Sequence, residues 1–319
     1  MSRDVCPEEI NFYVLRSLRN GALKDREEII REVKYEILNA DDMGIEKSIE
    51  QVDMITNRYT AVTDPLVSEL VPFYAFINVR ENFKAVTDAI KKNIGEVSMR
   101  DMIVGVYDLI GKPDFLIVGL TRGAKGKKAE QFIHDVLSEM GGEDIHNHLT
   151  IQVEIPRAIK KFWHCKFELE DIDERLGKIR EVEYDPLVLK ELQEECRFKI
   201  RSREIRLLEE SGIVKGYSVV IDASKYQSDR WKFIKAFIQV DALYNKFEDL
   251  YRLLEERHGK DTRGMIEIPY SRYGILIECE CANIARLGDI MSTIRNCEYV
   301  RTTRTAIARD VIKEELWVV

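Results

Sequence analysis

On a helical wheel drawn from Arg197 to Leu208, Lys199, Arg203 and Arg206 recur at i, i+4 and i+7, with Ser202 beside them. That spacing places three cations and a hydroxyl on one exposed stripe. Ile200, Ile205, Leu207 and Leu208 fall in another arc, the one a helix turns to its core. Such a stripe has the chemistry to neutralise phosphates and to donate to guanine edges, and Arg197 and Arg201 at its margins suit phosphate contacts. The competing reading is a solvated, salt-bridged helix face. What separates the two is the order of the elements around the stripe.

That order is three short helices and then a strand. Leu169 opens the first helix, and Asp185-Pro186 starts the second, because aspartate caps a helix and proline suits its first turn. Gly212 ends the third, and Ile213 to Asp222 reads as an extended wing. A similar helical segment opens the chain, with helices predicted over Glu8 to Asn20, Asp25 to Leu38 and Ile45 to Tyr59. Its third helix turns Lys47, Glu50, Asp53 and Asn57 outward, and carboxylates repel phosphate. The first unit is therefore expected to read DNA weakly, or to serve as a dimerising or scaffold element.

The chain also repeats itself. Ala75-Phe-Ile-Asn-Val79 returns as Ala236-Phe-Ile-Gln-Val240, about half the chain later. In the first copy hydrophobic periodicity predicts strands at Phe73 to Arg80, Val97 to Leu109, Asp114 to Thr121 and His148 to Ile155, with helices at Asn82 to Asn93 and Lys127 to Met140. The second copy follows the same course: Lys232 to Asp241, helix Asn245 to His258, Met265 to Tyr273, Ile275 to Cys281, helix Ile284 to Asn296, and Val300 to Val311. The fold class is thus α+β: two winged helix-turn-helix units alternating with two ferredoxin-like βαββαβ sheet modules. The expected boundaries are 1–70, 71–160, 161–228 and 229–319. Strands such as Ile275-Leu-Ile-Glu-Cys-Glu-Cys281 alternate, so a sheet with helices on one side leaves its other face for a second sheet.

Composition narrows the alternatives. A chain of 319 residues with 45% apolar and 33% charged residues reads as a globular protein of several domains, with no membrane span. The acidic N-terminus lacks a secretory signal, which points to the cytoplasm. The net charge of -8 argues against nucleic-acid binding unless positive charge is concentrated on one element, as it is on the stripe. Six scattered cysteines are expected to be free thiols, with Cys279 and Cys281 as small core residues ahead of a redox pair. His146, His148 and His164 lack the ligand spacing of a metal site, so no metal, cofactor or catalytic residue is assigned.

The run Leu207-Leu-Glu-Glu-Ser-Gly-Ile-Val-Lys-Gly-Tyr-Ser-Val-Val-Ile-Asp222 resembles the join between reading head and hinge strand in the leucine-responsive/asparagine regulator (Lrp/AsnC) family. Ala236 to Val240 and Val300-Arg-Thr-Thr-Arg-Thr-Ala-Ile-Ala308 are similar to strands of that family's effector-sensing RAM domain. Val104-Gly-Val-Tyr-Asp108, followed by Asp114 to Val118, resembles its glycine-and-aspartate turn, whereas the second copy has Ile268-Pro-Tyr-Ser-Arg-Tyr273 there. The resemblance implies a transcription regulator that binds double-stranded DNA through Lys199, Ser202, Arg203 and Arg206. It also implies contacts to an amino-acid-like effector near Gly105, Tyr107 and Asp108. One chain would form a covalent pseudo-dimer, and a homodimer or higher oligomer would bring a second basic head to the operator. Two alternatives remain open. One is an enzyme resembling the siroheme decarboxylases, which would need histidine and arginine in a haem-sized cleft, whereas the strand ends here show Tyr299, Arg301 and Arg304 without an adjacent histidine. The other is a ligand-sensing scaffold without DNA binding.

Overall fold

The computed structural model describes residues 7–81, 83–93, 103–122, 131, 135, 149–169, 172–197, 202–222, 233–268 and 273–315. Its first helical unit consists of α1 (Pro7–Arg19), α2 (Arg26–Glu36) and α3 (Asp42–Ile55), followed by β1 (Thr56–Thr63). Local signals set these ends. Asp25 and Glu28 form a reciprocal capping box, and Asp41 accepts from the Gly44 backbone N–H at 2.6 Å. The third helix therefore stops at Ile55, short of the predicted Tyr59. The run from Thr56 to Thr63 is rich in β-branched and aromatic residues and finds a strand partner, which overrides the helical periodicity.

The first sheet half comprises β2 (Leu70–Val79), α4 (Phe83–Asn93), β3 (Ile103–Ile110), β4 (Phe115–Arg122) and β5 (Leu149–Glu154). The helix expected over 127–140 lies outside the described residues except at 131 and 135, both helical. A hairpin that periodicity does not predict follows, β6 (Ala158–Phe162) and β7 (Cys165–Leu169). The second helical unit is α5 (Ile172–Arg180), α6 (Pro186–Glu194) and α7 (Arg203–Glu210), followed by β8 (Val214–Ile221). Asp185 caps α6 with Pro186 in its first turn, and Gly212, at φ +70°, follows the end of α7. The second sheet half is β9 (Ile234–Ala242), α8 (Phe247–His258), β10 (Thr262–Glu267), β11 (Ile275–Cys281), α9 (Ile284–Arg295) and β12 (Val300–Glu314).

All but two of these strands join one ten-stranded sheet in the order β5-β2-β4-β3-β12-β9-β11-β10-β6-β7, with antiparallel neighbours throughout. Numbered within its own half, each set of four strands lies in the order 4-1-3-2. The 15-residue β12 links them, pairing with β9 from Val300 to Ile307 and with β3 from Ile307 to Glu314.

Successive residues of each strand go to opposite cores, as the two-residue period requires. Phe73, Ala75 and Ile77 pack with α4, and Ile275, Ile277, Cys279 and Cys281 pack with α8 and α9. The alternate set, including Tyr74, Phe76, Tyr107, Leu116, Val118, Phe237, Ile266 and Leu276, forms one shared core. The inner faces of the two halves therefore cover each other, as a one-sided apolar sheet demands.

The remaining strands, β1 and β8, pair with each other. Helix α6 rests on β1 and α1 on β8, so residues of both helical units share a single core. No helix among the described residues is long and apolar enough to cross a membrane.

Candidate DNA interface and effector site

The basic stripe is built differently from the wheel that suggested it. Arg197 lies in the turn after α6, where the Cys196 N–H donates to the Tyr59 carbonyl at 2.9 Å. Its guanidinium sits 3.3 Å from the Tyr59 ring centroid and within 3.8 Å of Asp53 and 3.5 Å of Glu195. Arg197 is thus committed to the first helical unit. Ser202 is the N-cap of α7, its hydroxyl accepting from the Ile205 N–H at 3.3 Å. That bond explains why the helix begins at Arg203 and not at Arg197. Arg203 and Arg206 are exposed on α7 and form no ion pair with another described residue; Lys199 and Arg201 lie outside the described residues. Ile205 and Leu208 are buried beneath them, which fixes the outward direction of the two arginines.

In the first unit the corresponding surface belongs to α3. Lys47, Glu50 and Asp53 are exposed on it, while Asn57 stands on β1. Asp53 accepts from the Tyr59 hydroxyl, so part of its charge is used within the unit.

The three effector candidates do not converge. Gly105 pairs with Val118 and Glu314 across the sheet, and a Cβ there would stand 2.7 Å from the Tyr107 hydroxyl oxygen. Glycine lets Tyr107 lie back over its own strand. Tyr107 points into the inter-sheet core, its ring 4.8 Å from Phe237 and its hydroxyl donating to Glu314 at 3.1 Å. Asp108 takes the opposite face, where Arg309 clamps it through Nε at 3.1 Å and Nη2 at 2.5 Å.

Tyr107 leads to a site that sequence reasoning missed. Beneath α1, three cations meet three carboxylates in the inter-sheet interior: Arg19, Lys235 and Arg263 against Glu278, Glu280 and Glu314. Lys235 Nζ lies 2.8 Å from Glu278 and 3.3 Å from Glu280 and also bonds Glu314. Arg263 lies 2.9 Å from Glu280, with its guanidinium 3.8 Å from the Trp163 ring centroid. Arg19 reaches Glu314 at 2.9 Å and bonds Glu280 as well.

Burial alone would raise the carboxyl of Glu280, but Arg19, Arg263 and Lys235 override it and hold Glu280 well below the usual range. Glu314 is lowered in the same way by Arg263, Lys235 and Arg19. His164 stands 3.5 Å from Glu280 with neither ring nitrogen hydrogen-bonded, and burial pushes its pKa down to about 4, so it is neutral near pH 7. Oxygens of the three glutamates lie within 4.8 Å of one another, close enough to hold a cation, and Lys235 supplies it. The signal was present in the sequence: Glu278 and Glu280 alternate with Cys279 and Cys281 on the strand face expected to meet another layer, where carboxylates must be paired.

Cys279 and Cys281 are free, buried in the helix-side core, and burial pushes the Cys281 thiol up to about 12, which suits packing and not redox chemistry. His146 and His148 lie outside the described residues.

A cavity of about 690 Å³ opens at one end of the second sheet half. Arg157, Lys246 and Arg301 line it with Asp241, Glu267 and an apolar set that includes Leu243, Phe247 and Ile275. Arg157 donates to Glu267 through Nε at 3.0 Å, so the cavity wall is partly self-neutralised.

No protein-family model matches the chain, and no curated protein sequence matches it. Among solved structures, the siroheme decarboxylase NirDL is similar at 11% identity over 96% of this chain and 93% of that chain, with a TM-score of 0.47. The AsnC protein of E. coli is similar at 18% identity over 34% of this chain and 68% of that chain, with a TM-score of 0.25. The leucine response regulatory protein LrpA of Mycobacterium tuberculosis is similar at 10% identity over 46% of this chain and 89% of that chain, with a TM-score of 0.30. At low identity, the chain thus has likenesses both to an enzyme and to Lrp/AsnC regulators.

Proposed function

We propose that the chain is a DNA-binding transcription regulator of the Lrp/AsnC type. In this reading two winged helix-turn-helix units, near 1–70 and 161–228, alternate with two ferredoxin-like modules, near 71–160 and 229–319. The β6–β7 hairpin crosses the boundary at 160 and extends the second half's sheet along β10. One observation carries the reading. Two three-helix units, each followed by a strand, are joined through the β1–β8 pair into one core, and the second turns Arg203 and Arg206 outward without an ion-pair partner among the described residues. Exposed arginines on the third helix of such a unit suit phosphates and guanine edges, with Lys199 and Arg201 completing the proposed contact set and Ser202 and Arg197 shaping its entry.

The first unit, with its acidic α3, serves as scaffold. An amino-acid-like effector stays part of this reading through the family resemblance, but Tyr107 faces the buried charge cluster and Asp108 the opposite face of the sheet, so Gly105, Tyr107 and Asp108 do not form one pocket for it. Such a ligand changes DNA affinity only by favouring one arrangement of the units over another. The test is titration of the intact chain with DNA from upstream of its own gene, with and without free amino acids. Binding that steepens as salt falls, and that an amino acid alters, supports the reading.

One observation favours a second reading, an enzyme acting on a polycarboxylate such as siroheme: the 690 Å³ cavity with Arg157, Lys246 and Arg301 in its wall. Added siroheme would then give a bound tetrapyrrole absorbance spectrum that charge reversal of Arg301 weakens.

A further inference from the structure

A groove of about 340 Å³ runs between α6 and α7, a volume at the lower end of what small-molecule sites take, roughly 300–1,000 Å³. Tyr184, Val188, Leu207 and Leu208 give it an apolar and aromatic lining. Leu207 is 43% exposed, and Leu187, the chain neighbour of Val188, is 68% exposed, so apolar surface stands open to water here. The charged part of the lining has one sign: Glu183, Asp185 and Glu204, with no cation among the described residues that form it. All three carboxylates are exposed, and none forms an ion pair with another described residue. Asp185 accepts from the Leu187 N–H at 2.8 Å, which holds its carboxylate in place, and a hydrogen bond from the Ser202 hydroxyl lowers Glu204 below the usual carboxylate range. Around the α7 axis Arg203 and Arg206 fall beyond Leu207, on the side away from Glu204.

An apolar groove rimmed by carboxylates selects one kind of occupant. A neutral apolar molecule leaves the carboxylates unused, an anion is repelled by them, and a hydrated inorganic cation gains nothing from the leucines. An organic cation uses both parts. Its apolar body displaces water from Val188, Leu207 and Leu208, while its charge sits among Glu183, Asp185 and Glu204 with the aromatic Tyr184 beside it. We propose that the α6–α7 groove binds a small organic cation, an ammonium compound that carries an aromatic or branched apolar body. The three charges stand at the surface, where water screens them, so the attraction is modest and weakens with salt. On the regulator reading such a ligand acts next to the reading face, because Leu207 is the chain neighbour of Arg206. Binding by the groove is itself independent of whether α7 reads DNA.

The experiment is a titration of benzyltrimethylammonium with the full chain, followed by NMR of the probe's methyl protons, with phenylmethanesulfonate as a probe of like size and opposite charge. Wild type is expected to bind the cation with a dissociation constant of about 1 mM or below and to leave the anion free. Glu183→Gln/Glu204→Gln is expected to weaken the cation roughly fivefold or more, and Leu207→Lys, which sets a positive charge at the groove edge, to abolish binding. Glu46→Gln/Glu50→Gln removes the same number of charges from exposed sites on α3 and is expected to bind as wild type does. All of these positions are exposed, and thermal melts of each form verify that the fold is kept. A wild type that binds no cation at concentrations on the order of 10 mM overturns the proposal, as does equal binding of the anion. Affinity that Leu207→Lys leaves unchanged also overturns it. So does an equal loss in Glu46→Gln/Glu50→Gln and Glu183→Gln/Glu204→Gln, which would assign the binding to the acidic surface as a whole.

Discussion

In the first helical unit α3 runs for 14 residues and turns Glu50 and Asp53 outward, whereas in the second α7 runs for 8 residues and turns out Arg203 and Arg206. The two units are also held by different means. The first is pinned from α1 into the sheet interior: Arg19 bonds Glu280 and Glu314, and Arg16 bonds Asp261 at 2.7 Å, all of them buried. The second is tied to the rest of the chain by Arg175, 2.9 Å from Asp64 and partly exposed. The difference teaches a division of labour. The first unit spends the arginines of α1 inside the molecule and turns carboxylates outward from its third helix, and the unit left with a lighter anchor keeps the arginines of its third helix at the surface.

The largest expected effect tests the anchor. Arg19→Ala leaves Glu280 and Glu314 short of a cation in the interior, and breaking a buried pair in this way costs about 3–5 kcal/mol. Chemical denaturation of the full chain measures it, and a loss below about 1 kcal/mol would mean that the cluster relaxes around the gap.

Next comes pH. Free His164 titrates near 6.5 and the folded residue at about 4, so between those values the unfolded chain binds the extra proton and stability falls as pH falls. At pH 5 this amounts to about 2 kcal/mol, added to the loss from the lowered carboxyls of Glu280 and Glu314 at still lower pH. His164→Asn suits the positive φ of 64° and removes the ionisable ring, so its stability curve is expected to be flatter from pH 6.5 to 5. An unchanged curve would assign the dependence elsewhere.

Arg175→Ala is predicted to cost less, about 1 kcal/mol, because Lys215, 3.6 Å from Asp64, remains as a partner. A cost equal to that of Arg19→Ala would erase the distinction between the two anchors. The smallest effect on stability, within about 0.5 kcal/mol, is expected from Glu46→Lys/Glu50→Lys on the exposed face of α3. Its value lies in DNA binding: an unchanged salt slope keeps the first unit as scaffold, and a steeper one shows that α3 reaches phosphate and that only its charge held it back.

Much of this architecture was legible in the sequence. The repeat of Ala75 to Val79 at Ala236 to Val240, the alternation of Ile275 to Cys281, and the Asp185-Pro186 and Gly212 signals placed the strand order and the helix ends within a few residues. The two third helices were misjudged at their ends for physical reasons. Wheel periodicity does not register a serine that takes the capping position at 202, or a strand partner that draws Thr56 to Thr63 out of a helix. The β6–β7 hairpin escaped because its sequence, Ala158 to Leu169, mixes lysines with aromatics, and those lysines find partners only in the folded chain, such as Glu248 and Glu255. The charge cluster was hidden for a related reason: Arg19, Lys235 and Glu314 come from distant segments that only the tertiary fold brings together.

The central claim, that α7 reads DNA, rests on Arg203 and Arg206 and is tested most directly by the salt dependence of DNA affinity for wild type and Arg203→Ala/Arg206→Ala. The account predicts that wild type binds DNA from upstream of its own gene and that the variant binds more weakly, with a log–log salt slope shallower by about 2, one unit for each phosphate that an arginine no longer neutralises. No binding by wild type at low salt, or an equal slope in the two proteins, would contradict it.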